Sequence, residues 1–277
     1  MDWLDALILG IVQGLTEYLP VSSSGHIEIF KQILGIDLPG DENLQFSVMV
    51  HAATVLSTIV VLWPRFSGLC KSFFTFKRDA NFYYVCKILL SCIPIAIVGF
   101  CFKDFVESFF GNGLLVVGIC LCVTAGLLLF AHLSDRRLSG ATGKEKLVPA
   151  SAGHDITWLD AFIIGCAQAV AVLPGLSRSG TTIATGILLG DRRDQIASFS
   201  FLMVIIPILG EALLDVKDII GEGVSAAIGT GPLIIGFFSA FIVGCAACSW
   251  MINLVKRGKL VWFALYCVVM GIICILW

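Results

Sequence analysis

The sequence predicts an all-α polytopic membrane protein: six transmembrane helices and two re-entrant helix–loop–helix hairpins, arranged as an inverted repeat. Three observations carry that prediction. The 277 residues are 58% hydrophobic and 14% charged, with a mean hydropathy of +0.96, which sets the chain apart from soluble domains. Two stretches 155 residues apart repeat each other, WLDALILGIVQGLTEYLPVSSSGH at 3–26 and WLDAFIIGCAQAVAVLPGLSRSGT at 158–181. Aligned without a gap, Trp3, Leu4, Asp5, Ala6, Ile8, Gly10, Gln13, Ser22, Ser24 and Gly25 fall on identical residues in the second stretch. Finally, Lys and Arg are distributed unevenly between the two sides of the predicted layout.

The first element, 3–34, is broken at Pro20-Val21-Ser22-Ser23-Ser24-Gly25. Pro and Gly end a helix, and serines are good N-caps for the next one. The resulting arms of about 12–16 residues are shorter than the ~20 needed to cross ~30 Å of hydrocarbon. A hairpin that enters and leaves on one side fits better, provided that protein or a water-filled cavity surrounds its non-helical tip. Apolar spans follow at 47–64, 83–102 and 114–133. The second hairpin, 158–190, breaks at Pro174-Gly175-Leu176-Ser177-Arg178-Ser179-Gly180, and spans follow at 196–214, 229–252 and 260–277.

With both termini outside, the inside loops are 65–82, 134–157, 191–194 and 253–259. They hold thirteen Lys and Arg residues against three in the outside segments, a strong positive-inside bias. Three spans per half is an odd number, so halves of about 1–140 and 156–277 are inverted within a single membrane domain. The hairpins then enter from opposite sides and their tips can meet near the midplane. Met1-Asp2-Trp3 lacks the basic leader of a secretory signal, so the N-terminus is expected to stay in the mature chain. A net charge of −2 offers no basic field for nucleic acid. The eleven cysteines lie mostly in apolar segments and read as small buried hydrophobes.

The chemistry concentrates at the two breaks. Gln13 and Glu17 are four residues apart and share a helical face; Ser22, Ser23, Ser24 and His26 follow. The second break carries Ser177, Arg178, Ser179, Thr181 and Thr182. A carboxylate and a guanidinium inside a bilayer each need a partner or a function. One reading makes Glu17 and Arg178 a structural ion pair. The other notes that Gly- and Ser-rich turns opening a helix expose several N–H groups that cradle phosphate. Arg178 would then be a bidentate clamp, and Glu17 would bind a divalent cation or act as a base. His51 opens the first span, where it fits either the cavity wall or the outer interface, Glu211 fits the outer end of its span, and His132 and His154 fall on the inside end and loop with no role assigned.

Gln13-Gly14-Leu15-Thr16-Glu17-Tyr18-Leu19-Pro20-Val21-Ser22-Ser23-Ser24-Gly25-His26 and Pro174-Gly175-Leu176-Ser177-Arg178-Ser179-Gly180-Thr181-Thr182 resemble the undecaprenyl-diphosphate phosphatase (bacitracin-resistance) family. A Glu/Gln-x-x-x-Glu motif and a PGxSRSxxT motif are both complete, and length, repeat and spans agree along the whole chain. Many members carry Glu where this chain has Gln13, which can coordinate or hydrogen-bond but adds no charge.

The resemblance implies a plasma-membrane hydrolase. It would cleave undecaprenyl diphosphate to the monophosphate and inorganic phosphate, recycling the lipid carrier for peptidoglycan, with bacitracin competing for the substrate. It further implies that Arg178 holds the diphosphate with Ser177, Ser179, Thr182 and Ser22, and that Glu17 binds Mg²⁺ or Ca²⁺ with Gln13 in support. His26 would be general acid or base, and Ser23 the nucleophile or a phosphate contact, with direct attack by water equally open. The competing class is a polyprenyl-phosphate transporter built on the same inverted repeat. It needs a clamp but not an acid, a base and a nucleophile. No oligomer signature is evident, so a homodimer stays open.

Overall fold

The computed structural model describes residues 1–36, 40–102, 105–106, 108–109, 113–140, 151, 153–221 and 228–277. Regular structure among these residues is helical, apart from one isolated parallel bridge between His154 and Asp191. The first hairpin is α1 (Trp3–Thr16) and α2 (Ser23–Leu34); the second is α7 (Trp158–Val170) and α8 (Arg178–Leu189). At 12–14 residues each, all four arms are too short to span a bilayer. Both hairpins begin on a capping box. The Asp2 side chain accepts from Asp5 N while Asp5 accepts from Asp2 N, and Thr157 and Asp160 repeat the exchange. Each box satisfies two N–H groups that a helix start would leave free.

Between and after the hairpins lie α3 (Gly40–Val61), α4 (Trp63–Phe74), α5 (Ala80–Cys101), α6 (Gly113–Gly140), α9 (Arg193–Met203), α10 (Ile205–Gly221), α11 (Thr230–Lys256) and α12 (Val261–Leu276). Five stretches are long and apolar enough to cross a membrane: Glu42–Val61, Ala80–Cys101, Gly113–Ser134, Arg193–Leu214 and Thr230–Lys256. They coincide with five of the six predicted spans, and make this a polytopic membrane protein. The sixth, expected at 260–277, is α12, with 16 residues.

The structure departs from the sequence reading in two further places. The expected inside loop 65–82 is largely the helix α4, opened by Pro64 in its first turn, with the Arg65 guanidinium 4.4 Å above the Tyr84 ring. Of the loop 134–157, residues 141–150 and 152 lie outside the described residues. The span expected at 196–214 is broken at Val204, between α9 and α10. Pro207 has no N–H to give to the Met203 carbonyl four residues back, and Cys92 Sγ donates to that carbonyl instead, at 3.6 Å.

The halves interlock rather than sit side by side. Helix α1 packs along α11, in the other half, and α7 packs along α5. Both contacts rely on a repeated glycine. A Cβ on Gly10 would strike Ser239 Oγ and lie 2.6 Å from Gly236 O, and one on Gly165 would strike Ser91 O. Small residues let transmembrane backbones approach closely. Helices α6 and α12 cross with the same economy: a Cβ on Gly118 would lie 2.7 Å from Gly271 O, and one on Gly271 2.8 Å from Gly118 O.

Candidate active site

The two breaks run 17–22 and 171–177, overlapping the expected 20–25 and 174–180 but lying three residues earlier, and each ends on a serine cap. Ser22 Oγ accepts from Gly25 N at 3.3 Å, and Ser177 Oγ accepts from Gly180 N at 3.0 Å. The caps differ in backbone: Ser177 is extended at φ −73, whereas Ser22 sits at φ +70. A left-handed φ in a serine is strained and persists only where its surroundings impose it. The opposite tip packs against this turn. A Cβ on Gly25 would lie 3.1 Å from Gly175 Cα, and one on Gly180 3.1 Å from Pro20 Cβ. Because Pro20 and Gly175 are themselves 155 apart, these are one contact made twice. Ser179 Oγ donates to Leu19 O across the junction at 3.1 Å.

A cleft of about 380 Å³, counting its open mouth, lies beside the joined tips. Its polar wall includes Glu17, Gln168, Arg178, Ser179, Thr182 and Ser200; its apolar wall is Val55, Phe201, Val204 and Ile208. The break at Val204 therefore belongs to the site. Tyr18, buried beneath it, donates its hydroxyl to Thr54 O at 2.6 Å, fixing the loop that carries Glu17 against α3.

Glu17 Oε2 accepts from Gln13 Nε2 at 2.9 Å and from Ser23 Oγ at 2.7 Å. Charge-assisted bonds of this kind hold the carboxylate in one orientation. Arg178 makes no ion pair with Glu17. Its guanidinium lines the cleft without a hydrogen bond or ion pair among the described residues. The structural ion pair weighed from sequence is thus absent, and the Arg178 donors are available to an anion. Thr182 Oγ1 donates to Arg178 O at 2.9 Å and meets Ser200 Oγ.

Not every expected residue reaches the cleft. Ser22 and Ser177 act as caps, and Ser177 N donates to Thr124 Oγ1 at 3.1 Å. His26 is turned away from Ser23: its Nδ1 lies 2.8 Å from Ser22 O, its Nε2 2.7 Å from Tyr266 OH, and its ring stacks on Tyr266. Three residues along a helix brings two side chains onto one face but does not make them meet. The group touching the Ser23 hydroxyl is Glu17.

The cleft also contains a residue that the sequence reading left out of the site. Gln168 is fully buried, and neither its Nε2 nor its Oε1 has a hydrogen-bond partner among the described residues. A buried amide without partners costs roughly 1–3 kcal/mol, so a ligand is the natural recipient of its bonds. The signal was present, since Gln168 is the repeat equivalent of Gln13.

The oxygen donors around Glu17 suit a hard divalent cation. Glu17 and Gln168 line the cleft, Gln13 and Ser23 bond to Glu17, and carboxylate, amide carbonyl and hydroxyl are ligand types that Mg²⁺ or Ca²⁺ accepts, with phosphate oxygens to complete the set. Only one carboxylate contributes, so such an ion would depend on the substrate for much of its coordination.

Comparison with known proteins gives a consistent result. The family described as bacitracin resistance protein BacA matches residues 6–273. The chain is 54% identical over 276 residues to the undecaprenyl-diphosphatase of Bacteroides fragilis, covering 99% of this chain and 98% of that one. The undecaprenyl-diphosphatase of Bacteroides thetaiotaomicron is 54% identical over 273 residues, covering 98% and 97%. That of Christiangramia forsetii is 45% identical over 280 residues, covering 100% and 98%.

Proposed function

The chain belongs to the bacitracin resistance protein BacA family, and on that basis we propose that it is an undecaprenyl-diphosphatase. It hydrolyses undecaprenyl diphosphate to undecaprenyl phosphate and inorganic phosphate, returning the lipid carrier to cell-wall synthesis. The observation that carries this reading within the site is the Arg178 guanidinium, free of partners and lining one cleft with the Glu17 carboxylate. A fork of N–H donors recognises phosphate oxygens in pairs, and the Gln168 amide and Thr182 hydroxyl lie on the same wall.

Glu17 takes the proton from the attacking group. Ser23 Oγ, 2.7 Å from Glu17 Oε2, is the first candidate: its oxygen bonds to the terminal phosphorus and undecaprenyl phosphate leaves. Water then cleaves the phosphoserine to inorganic phosphate. Direct attack by a water held on Glu17 gives the same products in one step. His26 acts at a distance, fixing Ser22 and hence the start of α2. Glu17, Gln13 and Gln168 would hold Mg²⁺ or Ca²⁺, which would neutralise charge on the phosphate oxygens. The cleft has room for the headgroup and not for a C55 chain, so the tail leaves along Val55, Phe201, Val204 and Ile208 toward the bilayer.

In the bilayer, α12 forms the sixth crossing and the two hairpins are re-entrant, with both termini and the cleft's mouth toward the outer face of the plasma membrane. The crossed packing of α1 on α11 and α7 on α5 supports the inverted repeat. Bacitracin competes for the same diphosphate, so overproduction raises resistance.

Phosphate release from undecaprenyl diphosphate by detergent-purified protein, with and without EDTA, tests the reading. Release that EDTA abolishes is expected. A folded protein that releases none with any divalent cation would instead favour the polyprenyl-phosphate carrier. Trapping a phosphoserine at Ser23 separates the two routes of attack.

A further inference from the structure

A second polar cluster lies at the base of the second hairpin, where α8 turns into α9. His154 precedes α7, Asp160 is the third residue of α7, and Asp191 follows the left-handed Gly190 that ends α8. His154 Nδ1 lies 3.5 Å from Asp191 Oδ1 and 3.7 Å from Asp160 Oδ2, and the ligand atoms of all three lie within 4.8 Å of one another. We propose that these three side chains form a divalent-cation site, best matched to Zn²⁺, which ties the two arms of the second hairpin together. The proposal does not rest on the phosphatase reading.

Four observations carry it. First, the Asp191 side chain is fully buried, and neither carboxylate oxygen has a hydrogen-bond partner among the described residues. A buried carboxylate in that state is costly unless something cationic faces it. Second, the spacing suits a small ion. Ligands about 2.1 Å from a tetrahedral metal stand ~3.4 Å apart, close to both distances from His154.

Third, the ligands are already held in place. His154 N donates to Gly190 O and Arg192 N to His154 O, each at 3.1 Å, which locks the His154 backbone against Asp191. The capping box holds Asp160, whose Oδ2 accepts from Thr157 N at 2.8 Å. Fourth, His154 Nε2 lies 3.1 Å from Leu189 O. His154 Nδ1 lies 3.2 Å from Asp155 O, a contact that a metal on Nδ1 would replace, with Nε2–H donated to Leu189 O fixing the ring as in other ligating histidines. The imidazole is half exposed, so an ion can reach it from solvent.

The first hairpin has no counterpart. The position equivalent to Asp191 is Ile36. Among the described residues Asp5, the equivalent of Asp160, is engaged in its own capping box. One imidazole and two carboxylates are the ligand types of zinc sites that keep a fourth position for water. The rival occupant is a proton: an imidazolium bridging the two carboxylates would satisfy the same charges.

The test uses full-length protein stripped with EDTA and titrated with Zn²⁺, following bound metal and thermal unfolding in the wild type, Glu17→Gln, His154→Ala and Asp191→Asn. One Zn²⁺ per chain and a raised Tm are expected in the wild type and in Glu17→Gln. Affinity should fall by at least ~100-fold in the other two, since even outer-shell losses cost up to about that much. Wild-type protein that takes up no Zn²⁺, or binding that survives in His154→Ala and Asp191→Asn, would overturn the proposal in favour of the bridging proton. Binding lost in Glu17→Gln would place the ion in the cleft and overturn it equally. If either variant misfolds, carbethoxylation of His154 in the wild type decides: protection by Zn²⁺ supports the site, and unaltered reactivity rejects it.

Discussion

Set side by side at their offset of 155, the two hairpins keep one group of residues and diverge in another. Gln13 and Gln168, Ser22 and Ser177, and Gly25 and Gly180 are retained, while Glu17 stands opposite Val172, Ser23 opposite Arg178 and His26 opposite Thr181. The retained residues are those that build: caps, close approaches and the mutual contact of the tips. Among the divergent residues Glu17 and Arg178 line the cleft, Ser23 bonds to Glu17, and His26 turns to Tyr266 instead. A symmetric frame brings two broken helices together, and an asymmetric substrate, one diphosphate with one leaving group, is served by placing acid on one tip and cation on the other. The paired glutamines belong to both groups. Gln13 is committed to Glu17, whereas Gln168 faces the cleft with its bonds unmade.

The comparison can be broken most severely at Arg178. Arg178→Ala should lower kcat by about 10³-fold with the fold intact, the scale of removing one donor from a preorganised anion site. Arg178→Lys should recover little, because the fork is lost; near-wild-type turnover in Lys would reduce the clamp to a point charge. Next comes Glu17→Gln, which keeps shape and removes the base, and should cost about 10²-fold in kcat. The double variant Glu17→Val with Val172→Glu, which moves the acid to the other hairpin, should not rescue. Recovery of turnover there would mean that the two tips are interchangeable.

Smaller effects test the frame itself. Gly10→Ala and Gly165→Ala should each destabilise by about 1–3 kcal/mol, because an added methyl must displace backbone across the α1–α11 or α7–α5 contact. Thermal unfolding in detergent should show similar losses for the two, and a loss confined to one would deny the equivalence. The mildest change is Gln168→Leu, expected to reduce kcat/KM about tenfold while Tm holds or rises, since an amide without partners is removed. Unchanged kinetics would make Gln168 a scaffold residue only.

Much of this was legible in the sequence because it is local. Composition demands a bilayer, serines such as Ser22 and Ser177 announce helix starts, and Pro20 and Pro174 announce the breaks. The repeat, read as letters, already paired the two sites. The sixth span was harder, because α12 is apolar enough but has only 16 residues. The interruption at Val204 was signalled by Pro207, although a proline in a long apolar run is as easily tolerated as broken.

Sequence alone therefore determined the class of environment, the hairpins and the motif residues, since hydropathy, capping and chain breaks are set by neighbours within a few positions. Only the tertiary structure decided which of those residues meet. It turned His26 toward Tyr266 and gave the Ser23 hydroxyl to Glu17, it left Arg178 and Gln168 unpaired in the cleft, and it gathered His154, Asp160 and Asp191 at one corner. Such pairings depend on side-chain direction and on packing between segments more than a hundred residues apart. Local periodicity carries no record of that information.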